Sequence, residues 1–331
     1  MSTEPLLSAR GLVKEFPVAG TAGLLRPARR FRAVDDVAFD LHAGQTLALV
    51  GESGSGKSTT ARLASRLIDV TSGAVRLDGR DITSVTGAEL LEVRRQVQVV
   101  FQDPFSSLNP RHTVERIVTA PLRYQKRPVP GGTRAFAQGL LERVGLDPDH
   151  VSRFPAQFSG GQAQRIGIAR ALAVGPRVLV CDEAVSALDV SVQAQIINLL
   201  RDLQREEGFG CLFIAHDLAV VRQIATTVAV MTAGRVVEAG ERDAVFDDPQ
   251  HEYTRTLLAA VPRIRPEWEQ ARLRNAAKHE AAHHEAAHHE AAEHEAAEHD
   301  AGVGVDRTDA DNGPSAGNGP ADEDNPTEVT A

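Results

Sequence analysis

Gly51-Glu52-Ser53-Gly54-Ser55-Gly56-Lys57-Ser58 is the stretch from which the fold follows. Its spacing, G-x-x-x-x-G-K-[ST], is that of a phosphate-binding loop when a strand precedes it and a helix follows. Both flanks qualify. Thr46-Leu47-Ala48-Leu49-Val50 reads as a buried strand and Thr59-Thr60-Ala61-Arg62-Leu63-Ala64 as a helix start. Glycines let successive backbone N–H groups turn inward into an anion nest. The helix directs its positive dipole end at the same point. Lys57 is placed to reach the β- and γ-phosphates and the Ser58 hydroxyl to bind Mg²⁺, with Glu52, Ser53 and Thr59 completing the nucleotide cradle.

Three further apolar runs end in polar residues. Val178-Leu179-Val180-Cys181 is a fully buried strand that ends at Asp182-Glu183. Beside a phosphate loop, an acidic residue in that place holds Mg²⁺, which suits Asp182. Glu183 is then positioned to take a proton from an attacking water as general base. Val97-Gln98-Val99-Val100-Phe101 reads as a buried strand ending at Gln102, which faces the crevice where α/β sheets bind ligands. Cys211-Leu212-Phe213-Ile214-Ala215 ends at His216, able to donate a hydrogen bond to a γ-phosphate. A second anion site is predicted at Ser159-Gly160-Gly161-Gln162, where Ser159 is a good N-cap and the glycines leave first-turn N–H groups bare. Two γ-phosphate sites on one chain point to a site shared between two subunits.

Around these motifs the chain is α/β. Residues 7–18 and 34–41 alternate apolar and polar, as antiparallel strands with one wet face do. Gly20 to Arg32 between them is a Gly/Pro/Arg-rich loop, and either Phe16 or Phe31 could stack on a purine or simply pack. Val75 to Ile82 is a hairpin around Asp78-Gly79. The prolines of Asp103-Pro104-Phe105-Ser106-Ser107-Leu108-Asn109-Pro110 break the chain after Gln102, and residues 113–150 are helical with an interruption at Pro128 to Gly132. A helix is predicted from Val192 to Glu207, and a last hairpin turns at Ala233-Gly234.

Composition excludes several classes. No run of about 18 apolar residues occurs, so no spanning helix is expected. The opening Met1-Ser2-Thr3-Glu4-Pro5 lacks the order of a signal peptide. Cys181 and Cys211 lie inside apolar runs and read as buried thiols in a reducing compartment. The net charge of −9 hides an asymmetry: residues 276–331 carry two basic and fourteen acidic residues, a charge of −12, which leaves about +3 on the rest. That mild balance implies no nucleic-acid partner.

These motifs in this order resemble the ATP-binding subunit of an ABC (ATP-binding cassette) transporter over residues 8–263. Gly51–Ser58 stands as its Walker A loop, Gln102 as its Q-loop, Phe158-Ser159-Gly160-Gly161-Gln162 as its signature and Asp182-Glu183 as its Walker B end. Ser186-Ala187-Leu188-Asp189 stands as the D-loop and His216 as the switch histidine. The signature opens with Phe158 where the family more often has leucine. Two stretches, Phe101 to Arg111 and Asp248 to Pro262, resemble the oligopeptide/dipeptide importer branch, which also takes nickel and glutathione; Glu252 replaces a proline usual there. The resemblance implies a P-loop ABC ATPase fold: a mixed, mostly parallel core sheet with flanking helices, an antiparallel β subdomain and an α-helical signature subdomain near 103–172. The ATP-binding domain is expected at 7–245, the branch extension at 246–275, and a His/Ala/Glu repeat with a disordered acidic tail at 276–331.

The resemblance further implies ATP and Mg²⁺ as cofactors, with Ser58, Gln102 and Asp182 at the metal and Glu183, His216 and Gln102 in the catalytic machinery. Partners would be membrane permease subunits, a second ABC ATPase subunit, identical or different, and indirectly an extracytoplasmic solute-binding protein. The place of work would be the cytoplasmic face of the cell membrane, held peripherally. The alternatives are a soluble ABC ATPase without a transport role and an importer of nickel or glutathione-like substrates. The repeat from Lys278 to Asp300 sets His279/His283 and His284/His288 four apart, which permits Zn²⁺ or Ni²⁺ in principle. Its five-residue period rotates around a helix and accumulates no single site, and a solvated acidic linker is the other reading.

Overall fold

A computed structural model describes residues 4–18 and 30–260. The chain runs β1 (Leu7–Pro17), β2 (Arg30–Leu41), β3 (Thr46–Val50), α1 (Lys57–Ala64), β4 (Ser72–Leu77), β5 (Arg80–Asp81), α2 (Gly87–Gln96) and β6 (Val97–Val100). Helices α3 (Pro104–Ser107), α4 (Val114–Val118), α5 (Ala120–Tyr124), α6 (Thr133–Arg143) and α7 (Gly160–Leu172) follow. The chain then alternates through β7 (Val178–Asp182), α8 (Val190–Glu207), β8 (Gly210–Ile214), α9 (Leu218–Ile224), β9 (Thr227–Thr232), β10 (Arg235–Glu241), α10 (Arg242–Asp247) and α11 (Glu252–Ala259).

The core is a six-stranded mixed sheet in the order β10-β9-β3-β8-β7-β6, parallel except for the β9–β10 hairpin. Strands β3, β7 and β8 are buried at every residue, because both faces are covered, and that is why they read as unbroken apolar runs. The pleat sorts their side chains into two layers. Ala48, Val50, Leu179, Cys181, Cys211 and Phe213 join the helical layer with Leu141, Ile166, Ile196 and Leu200. Leu47, Leu49, Val178, Val180, Leu212 and Ile214 join α1 and the second sheet through Leu63, Leu7, Val37 and Val75. That second sheet is antiparallel, ordered β2-β1-β4-β5.

Local chemistry explains the turns. Asp78 and Gly79 both take positive φ, 49° and 70°, as a two-residue hairpin requires. Helix α8 starts at Val190, two residues before the sequence expectation. The Asp189 carboxylate accepts the Val192 N–H at 3.0 Å and caps it, whereas Val190 is exposed and gives no apolar signal. β2 likewise starts at Arg30, inside the segment expected to be loop. Phe31 pairs with Phe16 and Arg32 with Glu15 across the ladder, and Arg32 also binds the Glu15 carboxylate at 2.9 Å. β6 is the edge strand and is only half buried, ending before the exposed Phe101.

Cys181 and Cys211 are free, buried thiols. A hydrogen bond with Cys211 and complete burial push the Cys181 thiol well above its ordinary value, which keeps it protonated and inert. Among the described residues no helix is long and apolar enough to cross a membrane. Residues 261–331, which include Pro262, the expected extension beyond residue 260 and the histidine repeat, lie outside the described residues, as do 19–29 of the expected loop.

Candidate functional site

The carboxyl ends of β3, β8 and β7 lie side by side, so whatever follows each strand meets at one sheet edge. After β3 the loop bends through Gly51, Gly54 and Gly56, with φ of 145°, 79° and 102°. Gly51 has no room for a side chain: a Cβ there would stand 2.1 Å from the Met231 carbonyl oxygen. At Gly54 the added atom would meet nothing within 4 Å. The loop is closed internally by Ser55 N–H donating to the Glu52 carbonyl at 3.2 Å, and held by Gly234 N–H donating to the Ser55 carbonyl at 3.0 Å.

Helix α1 has no side-chain cap, and its first intrahelical bond is from Thr60 N–H to the Gly56 carbonyl. The N–H groups from Gly56 to Thr59 therefore have no helical partner, the arrangement that favours an anion. Lys57 is buried, and its ammonium donates to the Gly51 carbonyl at 2.8 Å and the Glu52 carbonyl at 2.7 Å. Burial lowers its pKa from the ordinary lysine value, and Glu183, Asp182 and Glu52 pull the other way. A cation held among carbonyls beside bare amides is the donor set that a phosphate chain satisfies.

Ser58 Oγ donates to Asp182 Oδ1 at 2.7 Å, and Arg62 Nη2 stands 3.9 Å from Asp182 Oδ2. A hydroxyl and a carboxylate at hydrogen-bond distance are hard oxygen ligands of the kind Mg²⁺ takes. Glu183, the next residue, has φ of 52°, a conformation costly for a non-glycine residue. Its N–H donates to the Ile214 carbonyl of β8 at 3.1 Å, and its carbonyl accepts the Ser186 hydroxyl at 3.0 Å. These bonds over-determine the strained turn and aim the carboxylate out of the strand. Glu183 Oε2 lies 3.9 Å from His216 Nδ1, and the two share a recess of about 40 Å³, room for a water molecule.

Gln102 follows β6, the neighbour of β7, at the same sheet edge, exposed and without a hydrogen bond among the described residues. Ser159 to Gln162 form the N-terminus of α7 and make no hydrogen bond to residues 51–59. Here Gln162 has a role that sequence reasoning missed. Its Oε1 accepts the Ser159 N–H at 3.0 Å while Ser159 Oγ accepts the Gln162 N–H at 3.4 Å, a capping box that the S-x-x-Q spacing announces. Gly161 packs against α8, where a Cβ would stand 2.4 Å from Val192 Cγ1. Farther along α7, buried Gln164 donates to the Phe101 carbonyl at 3.3 Å, and Arg170 donates to the Ser107 carbonyl. One helix thus carries the glycine terminus and grips the segment around Gln102.

A phosphate cradle, paired acidic residues and a histidine at one sheet edge, with a serine-glycine helix terminus on the same chain, define an ATP-binding cassette. The chain carries an ABC transporter ATP-binding domain: residues 34–186 match the family model described as ABC transporter. Residues 237–288 match the model described as oligopeptide/dipeptide transporter, C-terminal region. The glutathione import ATP-binding protein GsiA of Salmonella paratyphi A is 54% identical over 260 residues, 78% of this chain and 41% of that protein. GsiA of Escherichia coli K12 is 53% identical over 265 residues, 80% of this chain and 42% of that protein. The chain thus spans about two-fifths of the length of these curated relatives. Among solved structures, the post-hydrolysis dimer of the cassette MJ0796 bound to ADP and Pi superposes with a TM-score of 0.63 at 28% identity, over 71% of this chain and 98% of that one. The structure of cbiO1 from Clostridium perfringens, part of the ABC transporter complex cbiONQ, gives 0.63 at 26% identity, over 78% and 97%.

Proposed function

We propose that this chain hydrolyses ATP to energise a membrane importer of di- or oligopeptides, working peripherally at the cytoplasmic face of the membrane. The observation that carries this reading is the convergence of buried Lys57, the Ser58–Asp182 hydrogen bond of 2.7 Å, Glu183 and His216 at one sheet edge. Lys57 and the amides from Gly56 to Thr59 hold the phosphates, with Glu52, Ser53, Gly54 and Ser55 shaping the loop. Ser58, Asp182 and Gln102 would hold Mg²⁺, which would supply neutralisation of the charge on the transferred phosphoryl group. Glu183 accepts the proton of the attacking water and His216 donates to the γ-phosphate.

Ser159, Gly160, Gly161 and Gln162 do not reach the loop of their own chain, so in this reading they cap the γ-phosphate held by a second cassette. The dimeric state named for MJ0796 supports that arrangement. A cleft of about 520 Å³ lined by Leu67, Leu91, Arg94, Phe101, Tyr124 and Arg170 lies beside Gln102. Its exposed aromatics and its two arginines suit a permease segment, which would feel any movement of 101–107. The cassette runs over 7–245, its helical part over 103–172, the extension over 246–275 and the tail over 276–331. Glutathione, named for the relatives, is itself a tripeptide, so that substrate falls within the peptide class.

The test is purification of the tagged full-length chain from membranes. A co-purifying permease and an ATP-dependent pairing with itself or another cassette are expected. A chain that binds ATP but remains free of membrane proteins would support the soluble ATPase instead. Phe16 and Phe31 face each other across β1 and β2 and are 38% and 59% exposed, which offers a platform for adenine. Alanine at the stacking member is expected to weaken ATP by about 5- to 100-fold, the worth of one base stacked on an aromatic ring. Calorimetric titration of both variants decides which one stacks, and unchanged affinity in both removes the platform.

A further inference from the structure

Helix α11 lies two hundred residues beyond the phosphate loop in sequence, yet it touches that loop. The Tyr253 hydroxyl accepts the Glu52 backbone N–H at 3.1 Å. The tyrosine is held from several sides. His251 caps α11, its Nδ1 accepting the Tyr253 N–H at 3.1 Å. The segment before it is clamped to β10 by Glu238, whose two carboxylate oxygens accept Gln250 N–H at 2.8 Å and His251 N–H at 3.0 Å. Arg255 reaches back to the Pro249 and Gln250 carbonyls at 2.9 and 3.1 Å, and the Tyr253 ring packs on the helical core layer.

The residue it grips is the pivot of the loop. The Glu52 carbonyl receives both the Lys57 ammonium at 2.7 Å and the Ser55 N–H at 3.2 Å. The N–H that Tyr253 fixes belongs to the Gly51–Glu52 peptide, whose Gly51 carbonyl also receives the Lys57 ammonium at 2.8 Å. The Glu52 carbonyl tethers the peptide that follows, so the orientation of these two peptides sets where Lys57 and the loop amides point. We propose that Tyr253 is a positioning residue for nucleotide binding, an outside brace through which the C-terminal extension tunes the phosphate cradle. The role rests on the reading of that loop as a nucleotide site. Tyr253 does not touch the reacting atoms; it acts through Glu52.

Tyr253→Phe in the full-length chain removes the hydroxyl and keeps the ring, so the packing of α11 survives. Amide hydrogen exchange at Glu52 in nucleotide-free protein is expected to speed up roughly 3- to 10-fold, the size of one lost neutral hydrogen bond. ATP affinity and the KM for ATP are expected to weaken by a similar factor while kcat changes less than about twofold, since only ground-state positioning is lost. The thermal midpoint is measured alongside as a check on folding. Unchanged exchange at Glu52, or faster exchange with unaltered ATP affinity, overturns the positioning role alone. A wild-type chain that binds no ATP overturns the nucleotide reading and this role together.

Discussion

Replacing Glu183 by glutamine is expected to lower ATP turnover by about 10²- to 10⁴-fold, the range a positioned general base contributes, while ATP binding is retained. Glutamine has the shape of glutamate and fits the same turn, whose φ of 52° is fixed by backbone bonds to Ile214 and Ser186 and not by the carboxylate. The variant therefore isolates proton acceptance from folding. Its water-sized recess beside His216 stays in place, but an amide cannot take the proton. Phosphate release against equilibrium ATP binding is the measurement. Turnover above about a tenth of wild type would remove Glu183 from the role of base.

The second large effect is steric. Gly51→Ala is expected to destabilise the fold by about 3 kcal/mol or more, through backbone strain and a forced clash. The new methyl would sit 2.1 Å from the Met231 carbonyl oxygen; it is fixed to the backbone just after the buried strand β3, and the carbonyl belongs to the buried strand β9. Neither side can rotate away. At about 2–4 °C per kcal/mol for a domain of this size, the thermal midpoint should fall by roughly 6–12 °C. Gly54→Ala is the control. Its φ of 79° is also unfavourable for alanine, but nothing lies within 4 Å of the added atom, so a cost of only about 1–2 kcal/mol is expected. A Gly51→Ala protein that melts with wild type would mean that this turn is not packed as described.

The residues that meet at the candidate site were largely legible because they sit where local rules are strict. Parallel strands buried on both faces are near-continuous apolar runs, so β3, β7 and β8 announced themselves, and the polar residues at and just beyond their carboxyl ends were the natural candidates. The Asp78-Gly79 and Ala233-Gly234 turns were equally plain. Misplaced boundaries have local causes too. Arg30 and Arg32 hid the start of β2 because an exposed ladder accepts charged residues, and Val190 hid the start of α8 because its position faces solvent. The bond between Glu52 and Tyr253 was invisible for a different reason. It uses a backbone N–H and a residue two hundred positions away, and no periodicity reports such a meeting. The capping bond of Gln162 follows from its S-x-x-Q spacing to Ser159, a local signal that the sequence carries in full.

Helix α7 has a mechanical corollary. Its thirteen residues make a stiff rod about 20 Å long, seated at one tip on a serine-glycine terminus and riveted along its shaft to Phe101 and Ser107. A rod fastened at both places behaves as a lever. A push at the tip arrives at the far rivets without any loop having to unfold, and the leverage is set by helix length, a quantity that point substitutions on the surface leave unchanged.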